Sequence, residues 1–353
     1  MAFIVKTKGN LEHKDVLDKK YILKAINDNK NIVNKHSPLN NEMDIKGVLH
    51  IGANECQEYS FYTKDLGVKS KNIIWIDIFD YTKECKQNNP NIDISKLNFF
   101  TEAISNIDNE NMLFTIAENG QSTSSLEPAL HKLDHPEIKF EKNKKTLKSK
   151  TIKTFFIDNK TKFDETQFNY LSIDIQGGEL MALQGAGDFL KNVNYINIEI
   201  NVDETYKGCP AVEEIDSYLH NYGFKRVLES LSSILIFDPV SKKHIRKDAT
   251  WGDAFYIRLP IELHNNGYQP LRWGKYDILK FKWKGKRKII DYYKKNKRRS
   301  TNIYNIYNIY NISKKTNKYK HKHKHKKSKS KSKSKSKSKS KSKLNNIYIN
   351  ILR

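Results

Sequence analysis

Cysteine is scarce in this chain: three in 353 residues, Cys56, Cys85 and Cys209. The number is odd and the spacings are wide. That argues against a disulfide framework and against a zinc site, and it leaves reduced thiols in an intracellular protein as the expectation. No run approaches the ~18 apolar residues of a membrane helix. The opening MAFIVKTKGN has too short an apolar stretch for a signal peptide. No His/Cys cluster asks for a metal.

Acid is nearly missing from one end. Of the 64 Lys and Arg residues, 28 lie in 280–353, beside a single acid, Asp291. Residues 1–279 therefore carry 36 basic and 39 acidic side chains, a net of −3, although the whole chain stands at +24. The basic character belongs to the tail, and so does any argument from it.

What is present divides the chain into a polar N-terminal extension (1–44), a domain (45–262), a basic linker (263–299) and a low-complexity tail (300–353). The extension has one weak helical stretch near Val16–Ile26. The linker interleaves Trp283, Tyr292 and Tyr293 with Lys and Arg. The tail repeats Asn-Ile-Tyr from 302 and alternates Lys and Ser over 327–343. It has too little apolar surface to offset its ordering entropy, so disorder is expected. The wealth of Asn, Lys and Ile suggests an AT-rich coding genome, as in a large DNA virus or an AT-rich microbe.

Inside the domain, short apolar runs alternate with helical patterns. GVLHI (47–51), NIIWID (72–77), LNFFTEAI (97–104), MLFTIA (112–117), TIKTFFID (151–158), YLSID (170–174) and NYINIEIN (194–201) read as strands. GELMALQGAGDFLKN and AVEEIDSYLHNYG read as helices. FKRVLE, SILIFD and AFYIRL follow one another without helices. The expected fold class is α/β: a doubly wound, mostly parallel sheet with an antiparallel last edge.

Ligands of such sheets bind outside the strand carboxyl ends, at the order reversal. Several residues fall there. Gly52-Ala53-Asn54 turns the first strand into a helix whose N-terminus offers N–H groups. Asp77, 25 residues after Gly52, suits ribose hydroxyls. The polar stretch 119–136 holds His131 and His135 and suits either a hydroxylated substrate or a helix capped by Ser124 or Ser125. Asp174 ends a buried strand, Gln176-Gly177-Gly178 turns tightly, and Glu179 opens the next helix, where a negative charge also suits the dipole. Glu199 lies near a third strand end.

In this order, HIGANECQEYSFY, IIWID, QSTSSLEPALHKLDHP, YLSIDIQGGELMALQGAGDFL, YINIEINVDETYKG, YGFKRV and WGDAFYIR resemble the FkbM family of S-adenosylmethionine-dependent methyltransferases over about 46–258. The Asp-x-Gln-Gly-x-Glu element, Asp174 to Glu179, is the most specific part. The resemblance implies a class I methyltransferase fold, a seven-stranded Rossmann-like sheet with its last hairpin antiparallel. It implies S-adenosyl-L-methionine lying across Gly52, Ala53 and Asn54, its ribose on Asp77 and its adenine near Glu102, Ala103 and Ile104. It sets Asp174 and Glu179 at the transfer site. Many members have a second Gly where this chain has Cys56, which could crowd the donor.

The resemblance further implies a hydroxyl-bearing acceptor such as a sugar or glycan. Asp174 is then the base, the nucleophile-orienting group or a contact to the donor's amino group, with Glu179, Glu199 and His131 as other candidates. Two competing expectations remain. One is an RNA cap or ribose methyltransferase that grips nucleic acid through the basic tail, of which KRKIIDYYKKNKRR also reads as a nuclear localisation patch. The other is a degenerate, non-catalytic fold acting as a polyanion-binding scaffold.

Overall fold

A computed structural model describes residues 17–36, 43–231, 234–238, 243–247 and 251–265. In chain order the strands are β1 (Val48–Ile51), β2 (Ile73–Asp77), β3 (Asn98–Thr101), β4 (Ala103–Ile104), β5 (Asn111–Ala117), β6 (Phe140–Lys150), β7 (Tyr170–Ile173), β8 (Tyr195–Asn201), β9 (Phe224–Leu231), β10 (Ile234–Asp238), β11 (Lys243–Lys247) and β12 (Trp251–Arg258). The helices are α1 (Lys19–His36), α2 (Thr82–Asn88), α3 (His131–Asp134), α4 (Ile152–Asp158), α5 (Glu179–Ala186), α6 (Val212–His220) and α7 (Ile261–Asn265). None of the described helices is long and apolar enough to cross a membrane.

Seven strands make one sheet in the order β3-β2-β1-β7-β8-β12-β9. The first five are parallel, and β12 runs antiparallel to β8 and β9. The chain thus forms the α/β sheet with an antiparallel end that its alternating pattern requires. Strand order reverses beside β1, so the carboxyl ends of β1 and β7 open the crevice where such sheets take ligands.

Both faces of the sheet are covered, which is why β1 and β7 read as unbroken apolar runs. Leu49, Ile51, Leu171, Ile173, Ile196 and Ile198 join the apolar sides of α4, α5 and α6 on one face. Val48, Trp75, Tyr170, Tyr195 and Phe255 join α1 on the other. Helix α1 runs well past the weak stretch read near 16–26. It buries Ile22, Ala25, Ile26 and Val33 at helical spacing, so the N-terminal segment contributes to the core.

Four local readings are corrected. Residues 151–158 form helix α4, not a strand: Thr151 Oγ1 accepts from Thr154 N at 3.0 Å, and Ile152, Phe155 and Phe156 turn inward at i, i+3, i+4. LNFFTEAI is two strands, because β3 stays in the large sheet while β4 leaves it to pair with β6. No helix starts at Ser124 or Ser125. Ser124 Oγ instead accepts from Leu126 N and donates to Gln176 O at 2.7 Å, and α3 begins only at His131. Finally, Cys56 and Cys85 form a disulfide, with Cα atoms 5.1 Å apart. Parallel β1 and β2 carry the turns after them to the same place, so a separation of 29 residues vanishes in space.

Between β4 and α4 the chain makes an excursion, a ribbon in the order β4-β6-β5. Its base is tied by Asp108, which accepts from Thr151 N at 2.6 Å and Thr154 Oγ1 at 2.8 Å. Lys142, Lys144 and Lys148 are exposed on it, and Met112 and Phe114 of β5 turn toward the sheet's crevice. The linker and tail beyond residue 265, with the Lys-Ser and Asn-Ile-Tyr repeats, lie outside the described residues.

Candidate functional site

A cleft of about 500 Å³ opens along the carboxyl ends of the parallel strands, a size suited to a small molecule. At its β1 side, Gly52 has φ +81, and a Cβ there would stand 1.7 Å from the carbonyl oxygen of Asp174. Only Gly lets β1 and β7 close so tightly. The amides of this turn are already engaged: Gly52 N and Ala53 N donate to Ile76 O at 2.8 and 3.0 Å, and Asn54 N donates to Asp77 Oδ2 at 2.9 Å. The turn therefore meets the cleft with its surface rather than with free N–H donors. Asp77 Oδ1 accepts from Phe79 N at 3.1 Å, which fixes the carboxylate at the end of β2. Burial pushes its carboxyl up from the ordinary value.

Cys56 does not line this cleft. Its side chain is fully buried, in the core cluster that contains Trp75 and Tyr62.

At the β7 side lies the turn of residues 174–178. Gln176 takes φ +55 and Gly177 φ +102. Glu179 is fully buried, and its carboxyl accepts from Ile175 N at 3.0 Å and Gly177 N at 3.0 Å. It holds the turn in shape from behind and does not line the cleft. Gln176 Nε2 donates to Asp174 Oδ1 at 2.8 Å and to Glu199 Oε2 at 3.0 Å. The orientation of that amide is set by Tyr206, whose hydroxyl donates to Gln176 Oε1 at 2.7 Å. Asp174 and Glu199 are thus presented together by the ends of adjacent strands.

Carboxylate oxygens of Asp174, Glu179 and Glu199 come within 4.8 Å of one another. Three charges cannot all persist there. Burial, then the neighbouring acids, push Glu199 well above the ordinary carboxyl value, and burial lifts Glu179 to about 7. Asp174 is raised by its surroundings too, but the Gln176 amide, His50 and the Glu199 side chain pull it back. Burial therefore raises Asp174 and Glu199 alike, Glu199 further because the neighbouring acids add to it, while the Gln176 amide holds Asp174 back.

The far side of the cleft is formed by His131 and His135 of the 119–136 stretch. Burial pushes His131 down to about 4, so its ring is neutral at ordinary pH. Its Nδ1 is buried without a hydrogen-bond partner.

Of the residues expected at the site, Gly52, Ala53, Asn54, Asp77, Glu102, Ile104, His131, Asp174 and Glu199 share this one cleft. Ala103 is buried in β4 and Glu179 behind the turn, and neither lines it. Sequence reading passed over Gln176 as a ligand of the two acids, and over Tyr206, His50, Ser172, Asn197 and Asp253. The signal for Asn197 was the polar alternation of β8, whose non-isoleucine face meets the cleft instead of bulk water.

Residues 22–226 match the model of the Methyltransferase FkbM domain family. Among solved structures, the chain is similar to methyltransferase FkbM from Methylobacillus flagellatus KT at 11% identity and a TM-score of 0.34, over 69% of this chain and 56% of that one. It is similar to a candidate RNA methyltransferase from Pyrococcus horikoshii at 12% identity and a TM-score of 0.28, over 67% of this chain and 100% of that one. Similarity this low carries no argument about activity. No curated protein matches the chain.

Proposed function

Because the chain belongs to the FkbM methyltransferase domain family, we propose that it is an S-adenosylmethionine-dependent methyltransferase and that it methylates a hydroxyl group, that of a sugar or glycan. The observation that carries this reading is the character of the cleft. Its lining holds Glu58, Asp77, Glu102, Asp174, Glu199 and Asp253, and no Lys or Arg among the described residues.

That lining fits the methyl donor, whose sulfonium is a cation. Asp77 would hold the ribose hydroxyls, with Glu102 and Ile104 beside the adenine and the Gly52-Ala53-Asn54 surface beneath. When bound, the donor supplies an already activated methyl group.

The chain's own residues then align the acceptor and remove its proton. Alignment alone supplies several kcal/mol of the barrier reduction. Asp174 is the base: it is open to the cleft, and Gln176 occupies only part of its accepting capacity. Glu199, holding a proton, keeps a second negative charge away and hydrogen-bonds Asp174. Tyr206 locks the Gln176 amide that spaces the two acids.

A nucleic-acid acceptor is supported less well, since phosphates call for cations and the described residues of this lining include no Lys or Arg. The scaffold reading loses its motive as well, because Cys56 is turned away from the cleft.

The test is transfer of a tritium-labelled methyl group to cell glycan and RNA fractions side by side, with calorimetry of S-adenosylhomocysteine binding. The reading expects label in glycan. Label confined to RNA, or no donor binding, would overturn it.

A further inference from the structure

The donor reading seats the nucleoside on Asp77, Glu102 and Ile104 and leaves the amino-acid end of the molecule without partners. That end carries an ammonium and a carboxylate. An ammonium finds acids readily in this cleft, but a carboxylate needs a cation or a free N–H donor. The lining holds no Lys or Arg among the described residues. The amides of Gly52, Ala53 and Asn54 already donate to Ile76 O and Asp77 Oδ2.

Lys150 and Lys19 stand behind lining acids. Lys150 Nζ lies 2.7 Å from Glu102 Oε1 and 3.1 Å from Asp158 Oδ2, and both carboxylates take it up. Lys19 Nζ lies 3.9 Å from Glu58 Oε1. That separation makes an ion pair without a hydrogen bond, so the ammonium's protons are not committed to Glu58. Its other described contact is the Phe61 ring, 5.7 Å to the centroid. The Lys19 and Glu58 side chains are 41% and 27% exposed, so a ligand can reach both.

The fold brings Lys19 to this place. Helix α1 packs Ile22, Ala25 and Ile26 into the core cluster that holds Trp75 and Tyr170. Its entry is pinned at the cleft, where Leu17 N donates to Asp253 Oδ2 at 3.3 Å. Glu58 is fixed by its own backbone, whose carbonyl accepts from Tyr62 N at 2.9 Å. The Lys19 charge is felt inside the cleft: burial pushes His50 of the lining down to about 4, Asp174 opposes that fall, and Lys19 adds to it.

We propose that Lys19 and Glu58 hold the amino-acid end of the methyl donor, Lys19 the carboxylate and Glu58 the ammonium, so that α1 completes the donor site. The proposal rests on the reading that the cleft takes the donor. Each charge of the zwitterion then meets its opposite in a charge-assisted contact. Burial raises the Glu58 carboxyl above its ordinary value, and an ammonium against it favours the charged form. Asp174 is relieved of the ammonium and left to the acceptor.

The experiment is calorimetry on the full chain with S-adenosylhomocysteine, its decarboxylated analogue, which keeps the amine, and methylthioadenosine, which lacks the amino-acid end altogether. Lys19→Met keeps the side-chain stem beside Phe61. It is expected to raise the S-adenosylhomocysteine Kd about 10-fold, the size of one lost hydrogen bond to a charged group, and to change the other two by less than about 2-fold. Glu58→Gln is expected to weaken the decarboxylated analogue about 10-fold and methylthioadenosine by less than about 2-fold. A Lys19→Met loss shared equally by all three ligands would be an effect on the fold, and it overturns the proposal. So does S-adenosylhomocysteine binding that Lys19→Met leaves unchanged, or an amine analogue indifferent to Glu58→Gln. Those outcomes leave the donor reading standing. No S-adenosylhomocysteine binding by the unmutated chain overturns that reading and this one with it.

Discussion

The carboxyl groups of Asp174 and Glu199 share one donor: Gln176 Nε2 lies 2.8 Å from Asp174 Oδ1 and 3.0 Å from Glu199 Oε2. One amide thereby sets the spacing of two acids on neighbouring strands. On the proposed reading, Glu199, the acid that is harder to ionise, holds the proton and Asp174 serves as the base. Asp174→Asn keeps the shape and removes the basicity. Methyl transfer should fall by about 100-fold or more, while S-adenosylhomocysteine binding measured by calorimetry changes little. Unchanged turnover would take Asp174 out of the chemistry.

The Gln176 contact favours the ionised form of Asp174. Removing it must raise that carboxyl further. Gln176→Gly deletes the amide and also relaxes a backbone held at φ +55. The acid limb of the kcat/KM profile should move to higher pH. Tyr206→Phe, which frees the amide to rotate and also gives up the hydroxyl's contact with Ser122 O, should move it the same way by less. A profile that keeps its limb while losing height would mean that Gln176 serves the turn alone.

Two glycines at the cleft should respond differently. A methyl group at Gly52 meets backbone, the carbonyl of Asp174, at 1.7 Å. At Gly177 it meets no backbone atom but Leu126 Cδ1 at 3.0 Å, which can swing away, and Cys209 Cβ at 3.1 Å. Gly52→Ala is expected to cost about 3 kcal/mol in urea unfolding, with Gly177→Ala costing less. The reverse order would contradict the close approach of β1 and β7.

The Cys56–Cys85 bridge closes a loop of 29 residues. Chain-entropy reasoning assigns such a loop roughly 3–4 kcal/mol. Cys85→Ala should lower Tm accordingly. Reductant should lower the Tm of the unmutated chain and leave the variant untouched. Equal sensitivity of both would show that the thiols are already free.

Glu179 titrates near 7 in the folded chain against 4.5 when free, chiefly because it is buried. The folded state then holds a proton that the unfolded state releases. The resulting stability is fully present below pH 4.5 and is lost as pH rises through 7. The urea midpoint should fall over that window, and Glu179→Gln should flatten the fall. A steeper fall in the variant would reverse the assignment.

Much of this was legible beforehand because burial on both faces writes itself as apolar runs. VLHI, IIWID and YLSI are such runs, and the acids Asp77 and Asp174 that end or follow them mark the rim. What escaped notice was written in contacts instead. Strand β6 is rich in lysine and shows no apolar rhythm, since its pairing with β5 is made by backbone. Helix α4 was mistaken for a strand because Phe155 and Phe156 suit either period, and only the Thr151 cap decides. The rings of Tyr206, His131, His135 and Trp251 form a row from residues far apart along the chain, and no local pattern announces that. Nor does spacing show that Cys56 and Cys85 sit side by side.

The ribbon of β4, β5 and β6 adds to the cleft a wall that lies outside the seven-stranded sheet. It is laced shut at its root by Asp108 and by the Ser149 hydroxyl, which donates to Ile107 O at 2.6 Å. Met112 and Phe114 reach inward from it while the lysines stay in water. Partway along β6, Lys145 Nζ donates to Ile78 O at 2.5 Å and lies 4.4 Å from the Phe79 ring centroid, so the span is pinned to the segment just after Asp77 as well as at its root. An insertion near Lys145 would carry straight to the rim of β2, whereas one at the exposed lysines would not.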